Sequence, residues 1–281
     1  MKKYKSPLYG CIDLTYDCNL SCKHCVFINN DISEKKLTTK EVKHILDDFE
    51  EKKLIGVQLS GGEPLLRKDF IEILQYASKK KYAVSIATNG TLINDSIIEE
   101  FKKCNVKNVQ LSIDGFEKSN DFLRGEGTFK KITNILDKLV NEDIPVSIVT
   151  MITKQNINEI EYMLKYLKDI KILYWRLQYI LGNKIMDSLN IFDYINVYEK
   201  IKKIIDADKL PINIMMPCYI HEKNPKQSCD NLLINITEDG SISNCFFNNT
   251  QNYEFVSLKS LSKEVNYQFE NDYYICSKAL D

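Results

Sequence analysis

The sequence predicts an α/β fold: a partial (β/α)6 barrel of the TIM type over residues 1–208, followed by a small Cys-rich β-hairpin and helix domain over 209–281. Three observations predict it. Short β-rich segments alternate with amphipathic helical segments six times along the chain. Motifs built on Gly, Asn and Ser recur where those strands end, the side at which α/β sheets bind ligands. The alternation then stops, and the last stretch carries Cys218, Cys229, Cys245 and Cys276 instead.

Composition narrows the class. At 281 residues the chain has room for one large α/β domain and a small appendage. A net charge of −1 leaves no basic surplus, so neither nucleic acid nor an anionic membrane is an expected partner. No apolar run reaches the roughly 18 residues of a spanning helix. The opening Met-Lys-Lys-Tyr-Lys-Ser-Pro is basic without an apolar core, which is not a secretory signal. The expected location is the cytoplasm, where the nine cysteines suggest metal before disulfide.

Residues 8–16 read as the first strand, with Cys11 and Asp13 on one face and Cys11 an ordinary strand residue. That strand enters a loop carrying Cys18, Cys22 and Cys25. Three closely set thiolates can hold three irons of a four-iron cluster, leaving the fourth iron open to a small molecule. A structural zinc using the same cysteines with His24 or His44 is the competing reading, although His24 adjoins Cys25 and is badly placed for the same ion. Thr38 and Glu41 form a capping box, and Val42, Ile45, Leu46 and Phe49 follow at helical spacing.

The next strand, Gly56–Ser60, ends in Gly61-Gly62-Glu63-Pro64, where glycines let backbone approach a ligand closely. A helix over 68–80 and a strand over 82–87 lead to Thr88-Asn89-Gly90. A helix over 95–103 precedes Cys104, expected as a small buried apolar residue. The strand over 107–113 opens onto Ser112-Ile-Asp114-Gly115, then Arg124 in a charged loop. Helices over 128–142 and 156–168 alternate with strands over 144–151 and 171–180. In the last strand Trp175, Leu177 and Tyr179 share one face; Tyr174, Arg176 and Gln178 share the other, a polar face suited to substrate. Leu181-Gly182 closes that strand, and a helix over 190–206 ends the domain. Beyond it, Leu232–Ser243 reads as a hairpin around Glu238-Asp239-Gly240, which brings Cys229 and Cys245 together.

The cysteine loop, with His24 before its last Cys, resembles the signature of the radical S-adenosylmethionine (SAM) enzymes, and Gly61-Gly62-Glu63-Pro64 resembles their SAM-methionine motif. The resemblance implies a catalytic [4Fe–4S] cluster on Cys18, Cys22 and Cys25, with SAM chelated at the open iron and cleaved to a 5′-deoxyadenosyl radical that takes a hydrogen atom from the substrate. It assigns cofactor contacts to His24, Gly61, Gly62 and Glu63, to Asn89 near the ribose, and to Leu181 near adenine. Ser112 and Arg124 resemble the pair that contacts the SAM carboxylate and ribose in a peptide- and protein-modifying subgroup. Asn89-Gly90 is equally readable as a plain turn.

The spacing Cys229, Gly240, Cys245 matches the first half of that subgroup's auxiliary-cluster (SPASM) domain, while the second half is absent. A shortened, Twitch-like version is therefore expected. It would hold one auxiliary [4Fe–4S] cluster on Cys229, Cys245 and Cys276, with Cys218 either a fourth ligand or a hydrogen-donating thiol; four cysteines also suit zinc. Phe246 stands where sulfatase-maturating relatives carry Asp, which argues against formylglycine formation. The cluster loop begins at residue 18, leaving no room for an N-terminal leader-binding domain. A separate leader-binding protein, a leaderless peptide or a small-molecule substrate would each meet that. The implied activity is radical modification of a peptide by epimerisation, cross-linking or dehydrogenation, fed by flavodoxin or ferredoxin. An amino-sugar dehydrogenase or epimerase is the alternative, and a non-catalytic iron–sulfur or zinc protein the remote one.

Overall fold

The alternation of the sequence builds a curled sheet whose outer surface is covered by helices. The computed structural model describes residues 7–25, 35–179, 189–217, 220–221, 233–243, 255–257 and 273–276. Six strands run parallel in chain order: β1 (Tyr9–Thr15), β2 (Gly56–Gly61), β3 (Ala83–Thr88), β4 (Asn108–Ser112), β5 (Val146–Ile152) and β6 (Trp175–Tyr179). The helices between them are α1 (Thr39–Glu51), α2 (Phe70–Ala77), α3 (Asp95–Lys103), α4 (Glu117–Arg124), α5 (Thr128–Asn141) and α6 (Ile160–Leu167), and α7 (Ile191–Asp208) follows β6. This is the expected partial (β/α)6 barrel.

Local chemistry sets the element ends. The Thr38 hydroxyl accepts the Glu41 N–H at 3.3 Å and the Glu41 carboxylate accepts the Thr38 N–H at 2.8 Å, closing the capping box that starts α1. Val42, Leu46 and Phe49 of α1 are buried against β1. Gly10 permits that contact, since a Cβ there would stand 2.4 Å from the Phe49 ring. Even-numbered residues of β1 and odd-numbered residues of β2 (Ile12, Leu14, Val57 and Leu59) enter the core beneath the helices. Each such side chain contributes about 1.5–3 kcal/mol by leaving water. The alternation leaves Cys11, Asp13, Gln58, Ser85, Gln110, Ser147 and Arg176 on the concave face.

Two features differ from expectation. The segment before Arg124 is the helix α4 rather than a loop. Its buried side carries Ser119, Asn120, Leu123 and Arg124, so it presents no apolar stripe for periodicity to detect. The strand expected from residue 171 begins only at Trp175. The predicted hairpin does form, from β9 (Leu233–Ile236) and β10 (Ile242–Ser243), with Gly240 at φ +87° in the turn. It joins the main sheet: β9 lies parallel on the free edge of β1. At the other edge β7 (Ile214–Met215) pairs with β6, and β8 (Ile220–His221), β12 (Tyr274–Cys276) and β11 (Phe255–Ser257) form a separate antiparallel sheet. Cys276 is in β12; Leu181, Cys218, Cys229 and Cys245 lie outside the described residues. No helix among the described residues is long and apolar enough to cross a membrane.

Candidate radical SAM site

The three loop cysteines sit at the carboxyl end of β1, where the loop is pinned from three sides. Beneath it, Gly61 has φ +124° and a Cβ there would meet the Thr15 carbonyl at 2.1 Å; at Gly62 it would meet the Tyr16 and Asp17 carbonyls at 2.5 Å. The glycines thus let the end of β2 lie directly against the start of the loop, where the Gly62 N–H donates to Thr15 O at 2.6 Å and the Glu63 N–H to Asp17 O at 2.9 Å.

Glu63 is fully buried, and its carboxylate accepts from the Leu65 N–H, the Thr88 hydroxyl and the Asn89 N–H at 2.8–3.1 Å. Burial raises its pKa, against the pull of those donors. It therefore joins the ends of β2 and β3 while holding an acidic group under the loop. Asn89, placed by that joint, donates to Asn19 Oδ1 at 2.9 Å and points its amide at Cys18 Sγ, 3.7 Å away.

On the far side Asp114 is fully buried and gathers a guanidinium and an imidazole: Arg124 Nε stands 2.6 Å from its Oδ2 and His24 Nε2 3.2 Å. The Met151 N–H donates to the other carboxylate oxygen at 2.7 Å, fixing Asp114 on the end of β5. The Lys23 N–H bonds Leu123 O at 2.9 Å, so α4 grips the loop through its backbone as well. Burial lowers the His24 pKa, although Asp114 opposes the shift. Burial also raises the Cys18 thiol and lifts Cys22 to about 11, against the lowering effect of the Arg124 charge.

The donor set suits a cluster. Cys18, Cys22 and Cys25 lie on one short stretch of loop, where the Cys25 N–H donates to Cys22 O at 3.0 Å. Yet no three His, Cys, Asp or Glu side chains among the described residues converge on a single ion. In a four-iron cluster each thiolate serves a different iron, which needs close but separated sulfurs. The structure brings His24, Gly61, Gly62, Glu63, Asn89 and Arg124 around that loop, and Ser112 ends β4 two residues before Asp114. Sequence reasoning quoted Asp114 only as part of a motif and Glu238 only as part of a turn. The signal for Asp114 was there, an acid beside the glycine Gly115 at a strand end; Glu238 gave none, because its contact spans the whole chain.

Residues 12–167 match the Radical SAM superfamily, and the chain belongs to that superfamily. The mycofactocin maturase MftC of Mycolicibacterium smegmatis is 33% identical over 160 residues, covering 56% of this chain and 40% of the relative. The Fe-coproporphyrin III synthase of Methanosarcina barkeri is 36% identical over 162 residues, covering 57% and 41%. The matched stretch thus spans about two fifths of these relatives' length. In fold the chain is similar to Streptococcus suis SuiB in its crystal structure with S-adenosylmethionine, at a TM-score of 0.76 and 20% identity over 95% of this chain and 63% of that one.

Proposed function

We propose that this chain is a radical SAM enzyme that modifies a peptide. Cys18, Cys22 and Cys25 would hold the catalytic [4Fe–4S] cluster, and His24, Gly61, Gly62, Glu63, Asn89, Ser112 and Arg124 would hold SAM, with Leu181 at adenine. Bound there, cluster and cofactor supply a 5′-deoxyadenosyl radical by one-electron reductive cleavage. The observation that carries the reading is the pinned loop: the loop of Cys18, Cys22 and Cys25 is held by Asn89 on one side and by the Asp114–Arg124–His24 group on the other.

The chain's own contribution is orientation and charge. Asn89 sets the direction of Cys18. Asp114 holds Arg124 in place, and its guanidinium suits a cofactor carboxylate. Glu63 keeps an acidic group buried under the loop, complementary to a cofactor ammonium.

The peptide reading draws support from the similarity to a maturase, MftC. The division into a barrel at 1–208 and an auxiliary domain at 209–281 draws support from the end of α7 at Asp208. One auxiliary [4Fe–4S] cluster on Cys229, Cys245 and Cys276, with Cys218 as fourth ligand or hydrogen donor, belongs to the same proposal. So do a flavodoxin or ferredoxin as electron donor, a separate leader-binding protein, and a cytoplasmic location.

Anaerobic reconstitution with iron, sulfide, SAM and a strong reductant tests the reading. About eight irons per chain and 5′-deoxyadenosine are expected. Zinc without iron, or no SAM cleavage, overturns it.

A further inference from the structure

The sequence contains three arginines among its 38 basic residues, so arginine is used where its planar fork is needed rather than for general charge. Two are committed within the chain. Arg67 donates to both carboxylate oxygens of Asp69, at 2.8 and 2.7 Å, and to Leu14 O at 2.9 Å. Arg124 is held by Asp114. Arg176 is different. It makes no hydrogen bond or ion pair with any described residue, and its Nε is buried without a partner.

Its position is well defined. Trp175 and Leu177, on either side, are fully buried beneath the helices, so Arg176 lies on the concave face of β6. Its register partner is Val149, whose other partner is Ser112, so Arg176 shares a level of the sheet with the expected SAM residue on β4. The Tyr174 ring lies 5.6 Å from the guanidinium carbon. One pleat below, the paired residues Gln110 and Ser147 also carry buried side-chain oxygens without partners. A buried guanidinium edge and two buried oxygens left unbonded on one wall are costly unless a ligand meets them.

We infer that Arg176 binds a carboxylate of the substrate, received side-on by its Nε and one terminal nitrogen. The inference rests on the proposed peptide-modifying function and deepens it: the modified segment carries a carboxylate, from an acidic side chain or a free C-terminus, close to the attacked atom. An amino-sugar offers ammonium and hydroxyl groups instead, which this residue does not select.

The test uses the reconstituted, SAM-loaded enzyme labelled with 15N-arginine. It gives three side-chain Nε signals, and the one missing from Arg176→Lys belongs to Arg176. Three short probes are titrated at millimolar concentration: acetyl-Gly-Glu-Gly-amide, acetyl-Gly-Gln-Gly with a free C-terminus, and acetyl-Gly-Gln-Gly-amide. The Arg176 signal is expected to move with one or both of the first two and not with the third, and which of the two moves it identifies the source. Arg176→Lys should weaken that probe about tenfold more than it weakens SAM. If SAM alone moves the signal, and Arg176→Lys weakens SAM more than the probe, the cofactor's carboxylate owns the residue and the inference falls. It falls too if no carboxylate moves the signal while 5′-deoxyadenosine still forms. If coproporphyrin III, with its propionates, moves the signal and the peptides do not, the carboxylate inference stands and the peptide reading is overturned.

Discussion

Glu238 Oε2 accepts the Tyr16 N–H at 2.6 Å, joining the C-terminal hairpin to the first residue beyond β1 across 222 positions of sequence. The backbone carbonyl of the same Glu238 accepts the Leu37 N–H at 2.7 Å. One hairpin residue therefore holds both flanks of the cysteine loop. Glu238→Ala removes this acceptor of the Tyr16 N–H, at about 1–3 kcal/mol. Glu238→Gln keeps an acceptor there. Iron bound per chain is expected to fall clearly in the alanine variant and only slightly in the glutamine variant; equal losses would refute the loop-holding role.

The Asp114–Arg124 pair is a second point of tension. Removing one member strands a buried charge, so Asp114→Ala should cost about 3–5 kcal/mol in urea unfolding. A cycle with Arg124→Ala should give a coupling of about 2 kcal/mol or more. Additive losses would mean that the two side chains act separately.

Asp13 supplies a pH test. Burial is the main cause of its rise from 3.8 to about 6, helped by the Glu238 charge and opposed by Asn235. A carboxyl whose folded pKa is raised contributes its stability in full below the unfolded value and loses it as pH rises through about 6. Ionised Asp13 thus costs about 3 kcal/mol near neutrality. Asp13→Asn should raise the urea midpoint at pH 7.5 and gain little at pH 4. A gain independent of pH would show that ionisation is not the cause.

Gly62→Ala tests the close approach of β2 to the loop. With two carbonyls 2.5 Å from the new Cβ, the backbone must shift. Cluster loading should drop while the far-ultraviolet circular dichroism stays near that of the parent. Full iron content in this variant would show that the loop tolerates displacement.

Cys22→Ala should abolish SAM cleavage with the barrel still folded, read as 5′-deoxyadenosine formed per chain. Cleavage that persists in this variant would remove the loop from the chemistry.

The sequence made the barrel legible because each repeat carries its own signal. The capping box at Thr38, the alternation around Trp175 and the glycines after β2 are all local. The cysteine loop was legible for the same reason. Arg124 could be named, but not its setting: α4 turns Asn120 and Ser119 inward where periodicity expects leucine. The joint between Glu63 and Thr88, the grip of Asp114 on His24, and Glu238 under Tyr16 are pairings between distant segments. No local pattern encodes those; only the closed sheet brings them together.

The seating of β9 on β1 has a consequence for synthesis. The first strand leaves the ribosome with its outer edge bare and stays so until residue 236 emerges, roughly 10–40 s later at about 5–20 residues per second. Through that interval Glu238 cannot yet hold Tyr16 and Leu37, so the two flanks of the cysteine loop are fixed last, after every strand of the barrel has been made.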